Sequence, residues 1–200
     1  MLQSDHRDGV GVDKGATVLG IDPALGITGY GVLRVVGLQI RLVDAGVVRV
    51  PRAGTLESRL KELFEGITEI LAQHSPDFFA IEQLYSHYER PRTAILMGHA
   101  RGVICLAAAQ ASVPVTSYAP TKVKKLLTGN GRAPKSQIQA AVQQQLRLPA
   151  PLDPPDVADA LAIALCHVQA MRLPPQLAVT KRFNVDDQIE ALRLKTRKPG

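Results

Sequence analysis

The sequence predicts an α/β layered domain built on a five-stranded mixed sheet flanked by helices. Three observations carry that reading. The first 50 residues hold three β-rich runs joined by very short turns. After residue 54 the apolar residues begin to recur at intervals of three and four. From there on, short apolar strands alternate with helical stretches, the order that gives helices packed against a sheet with some parallel pairs.

Each element follows from its own residues. Residues 1–15 are polar and Gly-rich without a period and read as a disordered leader. ATVLGID (16–22) is a buried strand that ends on Asp22, and Pro23 starts a turn. GITGYGVLRVV (26–36) and the alternating QIRLVDAGVVRV (39–50) read as two further strands. Gly37-Leu38 is a two-residue connection, so these two form an antiparallel hairpin, and the turn at 23–26 pairs the first two strands in the same way. In TLESRLKELFEGITEILAQH (55–74), Leu56, Leu60, Leu63, Phe64, Ile67, Ile70 and Leu71 trace one helical face, with Thr55 or Ser58 as the cap and Ser75-Pro76 as the stop. DFFAIEQL (77–84) is a strand, apolar until Glu82. The stretch 90–113 is apolar nearly all round and predicts a helix buried on most of its surface. VPVTSYAP (113–120) is a fifth strand, residues 121–127 a brief basic helix, TGNGRAP (128–134) a loop, and 135–148 and 153–171 two more helices. Residues 16–171 thus form one domain, and 172–200, Pro-broken and then charged, read as a basic flexible tail with one helical turn near 186–194.

Composition narrows the function. The chain has 200 residues and only two cysteines, Cys105 and Cys166, both within apolar runs. They predict buried thiols in a reducing cytoplasm rather than a disulfide framework. Without a C-x-x-C, a cysteine zinc site has no support, and His74, His87 and His167 show no ligand spacing. No run of 18 apolar residues predicts a membrane span, and the leader lacks the apolar core of a secretory signal.

The net charge of +6 matters less than its distribution. Between Arg90 and Leu152 there is no Asp or Glu, while the same 63 residues carry nine Lys and Arg. The tail adds seven basic and three acidic residues. An acid-free basic block of that length predicts a polyanionic partner. With no Trp and 4% aromatic residues, a multi-ring stacking platform for single strands is not expected.

Four carboxylates stand out against this basic background. Asp22 and Glu82 end apolar strands, and Asp156 and Asp159, three apart, share one face at the start of an apolar helix. Taken singly, each has an ordinary explanation: a turn at Asp22-Pro23, a solvated strand end at Glu82, a helix cap or dipole partner at Asp156 and Asp159. Together they describe an oxygen-only donor set suited to Mg²⁺ or Mn²⁺. A basic surface for a polyanion beside a carboxylate cluster for cations is what phosphodiester hydrolysis requires. TGNGRAPKS has the composition of a phosphate loop but fails the G-x-x-x-x-G-K-[ST] spacing, so nucleotide binding is not expected there.

GIDPALGITGYGVL, FFAIEQLY, MGHARGV, KVKKLLTGNGRAPKSQIQ and PPDVADALAIALCH, in this order over residues 16–171, resemble the RuvC family of Holliday-junction resolvases. The resemblance implies an RNase H-like fold, a homodimer, and metal-dependent paired nicking of two like-polarity strands of a four-way DNA junction during recombination and repair. It places the family's acidic residues on Asp22, Glu82, Asp156 and Asp159, with two Mg²⁺ or Mn²⁺ ions per site. Its junction-contacting aromatic falls on Tyr85, and its best-matched DNA-contacting lysines on Lys124 and Lys135. Lys122, Lys125 and Arg132 are basic neighbours expected to hold phosphates. A branch-migration helicase complex is a partner implied by resemblance alone. Two departures stand out. Ala24 replaces the Gly usual after the Asp-Pro pair, which puts in question how closely the first turn approaches the cations. His99 replaces the usual Gln of the helix motif and reads as a polar helix-packing residue, with a DNA contact as the alternative. Rival readings are an inactive junction-binding scaffold, an actin-like ATP-binding protein, for which 200 residues are too few, and a nuclease for RNA–DNA hybrids.

Overall fold

The computed structural model describes residues 15–84 and 91–172. The leader before Gly15, the segment 85–90 with Tyr85 and His87, and the tail after Arg172 lie outside the described residues. The elements follow the sequence order: β1 (Ala16–Asp22), β2 (Ile27–Val36), β3 (Gln39–Arg49), α1 (Leu56–His74), β4 (Phe78–Glu82), α2 (Pro91–Gln110), β5 (Val115–Tyr118), α3 (Pro120–Thr128), α4 (Lys135–Leu146) and α5 (Pro155–Arg172).

The strands form one sheet in the order β3-β2-β1-β4-β5. β1, β2 and β3 are an antiparallel meander. β4 joins β1 in parallel, and β5 joins β4 in parallel. The parallel pairs need crossovers, and α1 and α2 supply them. At the Gly37-Leu38 turn Gly37 takes φ 55°, a left-handed conformation that a two-residue hairpin turn favours and that glycine adopts without strain. Thr55 caps α1, its side chain accepting from the N–H of Ser58.

Alternation along the strands divides the core into two layers. Val18, Leu33, Ala80 and Tyr118 face α3, α4 and α5. Leu19, Ile21, Val32, Phe79 and Ile81 face α1 and α2. By the same period, Asp22 and Glu82 point to the α5 side. Two glycines let α5 lie close against the sheet. A Cβ at Gly20 would overlap the backbone of Ala160 and Ala164, and one at Gly29 would overlap the backbone of Asp156.

Two expectations need correction. Helix α2 is not buried on most of its surface. Ala100, Ile104, Ala107 and Ala108 are buried, whereas Ile95, Leu96 and Leu106 are exposed. One face of α2 packs against α1 and the sheet, and among the described residues no layer covers the opposite apolar face. For the same reason Cys105 is only half-buried, although Cys166 is fully buried. Burial raises both thiols, Cys166 to about 12, so neither is poised as a nucleophile.

Candidate active site

Asp22 and Glu82 sit at the carboxyl ends of two adjacent parallel strands. The β1–β4 register pairs Ile21 with Ile81, so the next residues on both strands are the two carboxylates. Helix α5 begins over this strand end, because Gly29, the register partner of Asp22 on β2, admits its first turn. Asp156 and Asp159 on that turn and the one above it thereby join the strand carboxylates. The turn after Asp22 is held by Thr28, whose hydroxyl donates to the Ala24 carbonyl and accepts from the Ala24 N–H. Ala24 is not among the residues with positive φ, so this turn does not need the glycine usual in the family.

The electrostatics show that the four carboxylates form one group. Burial raises the Asp22 carboxyl to about 6, with Asp159 and Asp156 adding to the shift. Glu82 rises to about 7, again chiefly through burial, then through the charge of Asp22 and Asp159 and a hydrogen bond to the Asp22 side chain. The Asp22–Glu82 pair therefore holds a proton that isolated carboxyls would have lost well below neutrality. Like charges this close need a counter-charge. Lys135 Nζ lies 2.7 Å from Asp159 Oδ2. Its ammonium is held above its usual pKa by that hydrogen bond, against some desolvation, and by Asp159, Asp156 and Asp22. Lys135 is also the first residue of α4, the end of a helix where its dipole disfavours a cation, so the carboxylates offset an unfavourable placement.

Among the described residues, no three His, Cys, Asp or Glu side chains stand as a ready-made coordination shell. Asp22 and Glu82 share a side-chain hydrogen bond that acts on their protonation, and Asp159 is paired with Lys135. The donor set nevertheless fits a hard divalent cation. It is all oxygen, half-buried and crowded with like charge, and it already draws in an ammonium.

A cleft of about 230 Å³ lined by Glu82, Lys124, Lys135, Ile138 and Asp159 opens beside the cluster. Lys124 is close enough to Glu82 to lower its pKa slightly. The structure thus brings six of the expected site residues together: Asp22, Glu82, Asp156, Asp159, Lys124 and Lys135. Lys122 instead lies over the ring of Tyr118, its ammonium 5.3 Å from the centroid. Lys125 and Arg132 are exposed on α3 and the following loop. Tyr85 lies outside the described residues. His99 is exposed, which corrects the reading of it as a helix-packing residue in this chain.

The family model described as crossover junction endodeoxyribonuclease RuvC matches residues 18–167. The chain belongs to the RuvC family. The RuvC of Rhodopirellula baltica is 60% identical over 149 residues, covering 74% of this chain and 84% of that one. That of Desulforamulus reducens is 44% identical over 152 residues, 76% of this chain and 93% of the relative. Among solved structures, Thermus thermophilus RuvC matches with a TM-score of 0.72 at 34% identity, and its complex with a Holliday junction substrate with 0.74, each over 78% of this chain and 95% of that one. The RNase H-like fold and the assignment as a crossover junction endodeoxyribonuclease follow from this membership.

One residue near the RuvC carboxylates escaped the sequence reading. Arg101 of α2 donates from Nε to the Glu82 carbonyl at 3.3 Å and from Nη2 to Ser117 Oγ at 2.7 Å. Its signal was present: Arg101 is the one charged side chain between Arg92 and Lys122, within the MGHARGV motif.

Proposed function

We propose that this chain resolves four-way DNA junctions at the carboxylate cluster, with Asp22, Glu82, Asp156 and Asp159 holding two divalent cations, Mg²⁺ or Mn²⁺. When bound, such ions ionise the attacking water and offset charge on the scissile phosphate and the leaving 3′-oxygen. The observation that carries the reading is the convergence of these four carboxylates from β1, β4 and α5 beside two lysines on an otherwise acid-free basic block.

The chain's own residues do the rest. Asp22, at the end of the central strand and hydrogen-bonded to Glu82, is the carboxylate that would be shared between the cations. With the Asp22 and Glu82 carboxyls raised to about 6 and 7, a cation held there would displace the proton of the pair, and its binding would strengthen as pH rises through that range. Lys135 spends one of its three N–H donors on Asp159 and keeps the others for a phosphate. Lys124 at the cleft wall holds a second phosphate, and Lys122, Lys125 and Arg132 extend the basic surface. These contacts position DNA without reading its sequence, so selectivity rests on junction shape. Tyr85, three residues beyond Glu82, is placed by sequence to stack on an unpaired base at the distorted junction centre.

Cutting two strands symmetrically needs two sites related by a two-fold axis. The exposed Ile95, Leu96 and Leu106 of α2 supply an apolar face for a C₂ homodimer. Association with a branch-migration helicase complex belongs to the same reading. No described helix is long and apolar enough to cross a membrane.

Incubation with a synthetic four-way junction, a linear duplex and an RNA–DNA hybrid, each with Mg²⁺, Mn²⁺ or chelator, tests the proposal. Paired nicks in two like-polarity strands of the junction alone, and only with metal, are expected. Preferential cutting of the hybrid, or junction cutting in chelator, contradicts it.

A further inference from the structure

The backbone of β4 leaves a gap at the carboxylate residue that ends the strand. Phe79 N–H donates to Pro114 and Gln83 N–H to Tyr118, so the odd-numbered residues of β4 turn their backbone groups to β5. In a parallel ladder both groups of one residue face the same neighbour, so Glu82 turns its carbonyl toward β1. Carrying the β1–β4 register one step past Ile21 and Ile81 would offer that carbonyl the N–H of residue 23. Residue 23 is Pro23, which has no N–H. The ladder therefore supplies no donor to the last carbonyl of the strand.

Arg101 supplies it from α2. Its Nε reaches the Glu82 carbonyl while Nη2 bonds Ser117 Oγ on β5. Ser117 is the register partner of Ile81, so one planar guanidinium ties the end of β4 to the strand beside it. The bond is to the backbone of Glu82, on the opposite side of the sheet from the cleft that its carboxylate lines. Lysine cannot reproduce it, since a single ammonium lacks a fork that spans two fixed acceptors. α2 is also the helix that exposes Ile95 and Leu106, so the same helix carries the apolar face and grips the site.

We infer that Arg101 is a positioning residue of the nuclease site, fixing the backbone of Glu82 so that its carboxylate meets Asp22 and Asp159 in cation-binding geometry. This rests on the reading of Glu82 as a cation ligand. A misplaced ligand should weaken metal binding before it weakens DNA binding.

The test compares full-length wild type, Arg101→Gln, Arg101→Lys, Ser117→Ala, Pro23→Ala and the Pro23→Ala/Arg101→Gln double variant. The readouts are Mn²⁺ binding by calorimetry without DNA, cleavage against Mg²⁺ concentration, junction Kd in chelator, and Tm. Arg101→Gln should weaken Mn²⁺ binding and raise the Mg²⁺ needed for half-maximal cleavage by about tenfold, with saturated cleavage down about tenfold to a hundredfold. Arg101→Lys should fall between, and Ser117→Ala should shift the metal midpoint in the same direction by less. Junction Kd in chelator should stay within about twofold, since the contact is not to DNA. Pro23→Ala adds the missing N–H, so the loss caused by Arg101→Gln should be smaller in the Pro23→Ala background than in wild type. A folded Arg101→Gln with unchanged Mn²⁺ affinity and Mg²⁺ midpoint overturns the inference, as does a loss that follows Tm alone and is undiminished by Pro23→Ala. If Arg101→Gln does not fold, unshifted midpoints in Arg101→Lys and Ser117→Ala overturn it. A wild type that cuts no junction defeats the assignment of function instead.

Discussion

Helices α2 and α5 cover opposite faces of the sheet, and both are apolar sequences of similar length: 20 and 18 residues. Their fates differ. From Val157 to Ala170, α5 is buried at almost every position, packed on β1 and β2 through the room that Gly20 and Gly29 leave. α2 buries four residues and leaves Ile95, Leu96 and Leu106 in solvent. Apolar content alone does not say what covers a helix. Position does: α5 crosses the centre of the sheet, so every side of it meets another layer, and its first turns carry Asp156 and Asp159 to the central strand end. α2 packs beside α1 and keeps one apolar side for something else.

Charging the open side of α2 should have the largest effect. Ile95→Glu with Leu106→Glu should abolish a dimer in sedimentation, with far-UV circular dichroism unchanged. Paired nicking should be lost with it. A wild type that sediments as a monomer at micromolar concentration and still resolves junctions fully would show that α2 carries no dimer face.

The buried side should answer through stability instead. Leu161→Ala on α5 should cost roughly 2–5 kcal/mol in denaturant unfolding, the range for a buried Leu truncated in a packed core. Leu106→Ala, at 50% exposure, should cost under about 0.5 kcal/mol at concentrations where the chain is monomeric. Equal losses would mean the two helices are covered alike.

Protonation sharpens the contrast further, because α5 buries two kinds of titrating group. His167 accepts or donates at Nδ1 to Tyr118 Oη at 2.9 Å, its Nε2 is buried without a partner, and burial lowers its pKa to about 4. Between about 4 and 6.5 the unfolded chain binds more protons at this residue, so its contribution to stability is lost as pH falls through that window. Asp22 and Glu82 act with the opposite sign. Their folded pKa values, about 6 and 7, lie above the unfolded ones, so the folded chain binds more protons and stability falls as pH rises toward 7. In metal-free buffer, Glu82→Gln should therefore raise Tm at pH 7.5 and change it little at pH 5. An equal or reversed effect at the two pH values would show that burial and mutual charge do not raise these carboxyls in the folded state.

The smallest effect belongs to the lysines. Lys124→Ala and Lys135→Ala should each flatten the slope of log junction affinity against log salt by about one unit, as loss of one phosphate contact does. An unchanged slope takes that lysine off the DNA.

Much of this was legible in the sequence. Pro23, Gly37, Thr55 and Pro76 mark local boundaries, and period-two and period-four patterns need no tertiary context, so the strands and helices fell where those patterns placed them. The convergence of Asp22, Glu82, Asp156 and Asp159 was legible because each ends or begins an apolar element. The open side of α2 was not, since a one-dimensional apolar run does not reveal how many layers will cover it. Arg101 was missed because its role depends on a missing N–H one strand away, and no spacing along the chain links residue 101 to residue 23. Lys122 was grouped with the site by proximity in sequence, whereas the helical turn of α3 sends it over Tyr118 and leaves Lys124 at the cleft.

In the proposed function, four carboxylates at one strand end perform the chemistry and the basic surface around them holds the DNA. Amide variants at Asp22, Glu82, Asp156 and Asp159 separate the two, because each removes a charge while nearly keeping shape. The direct measurement pairs junction cleavage in Mg²⁺ with junction affinity in chelator for all four. Cleavage should fall by orders of magnitude in each, while affinity holds or tightens as a repulsive charge near phosphates is removed. Near-normal cleavage by any one variant would contradict that residue's place in the site, and a parallel loss of metal-free binding would contradict the division between chemistry and grip.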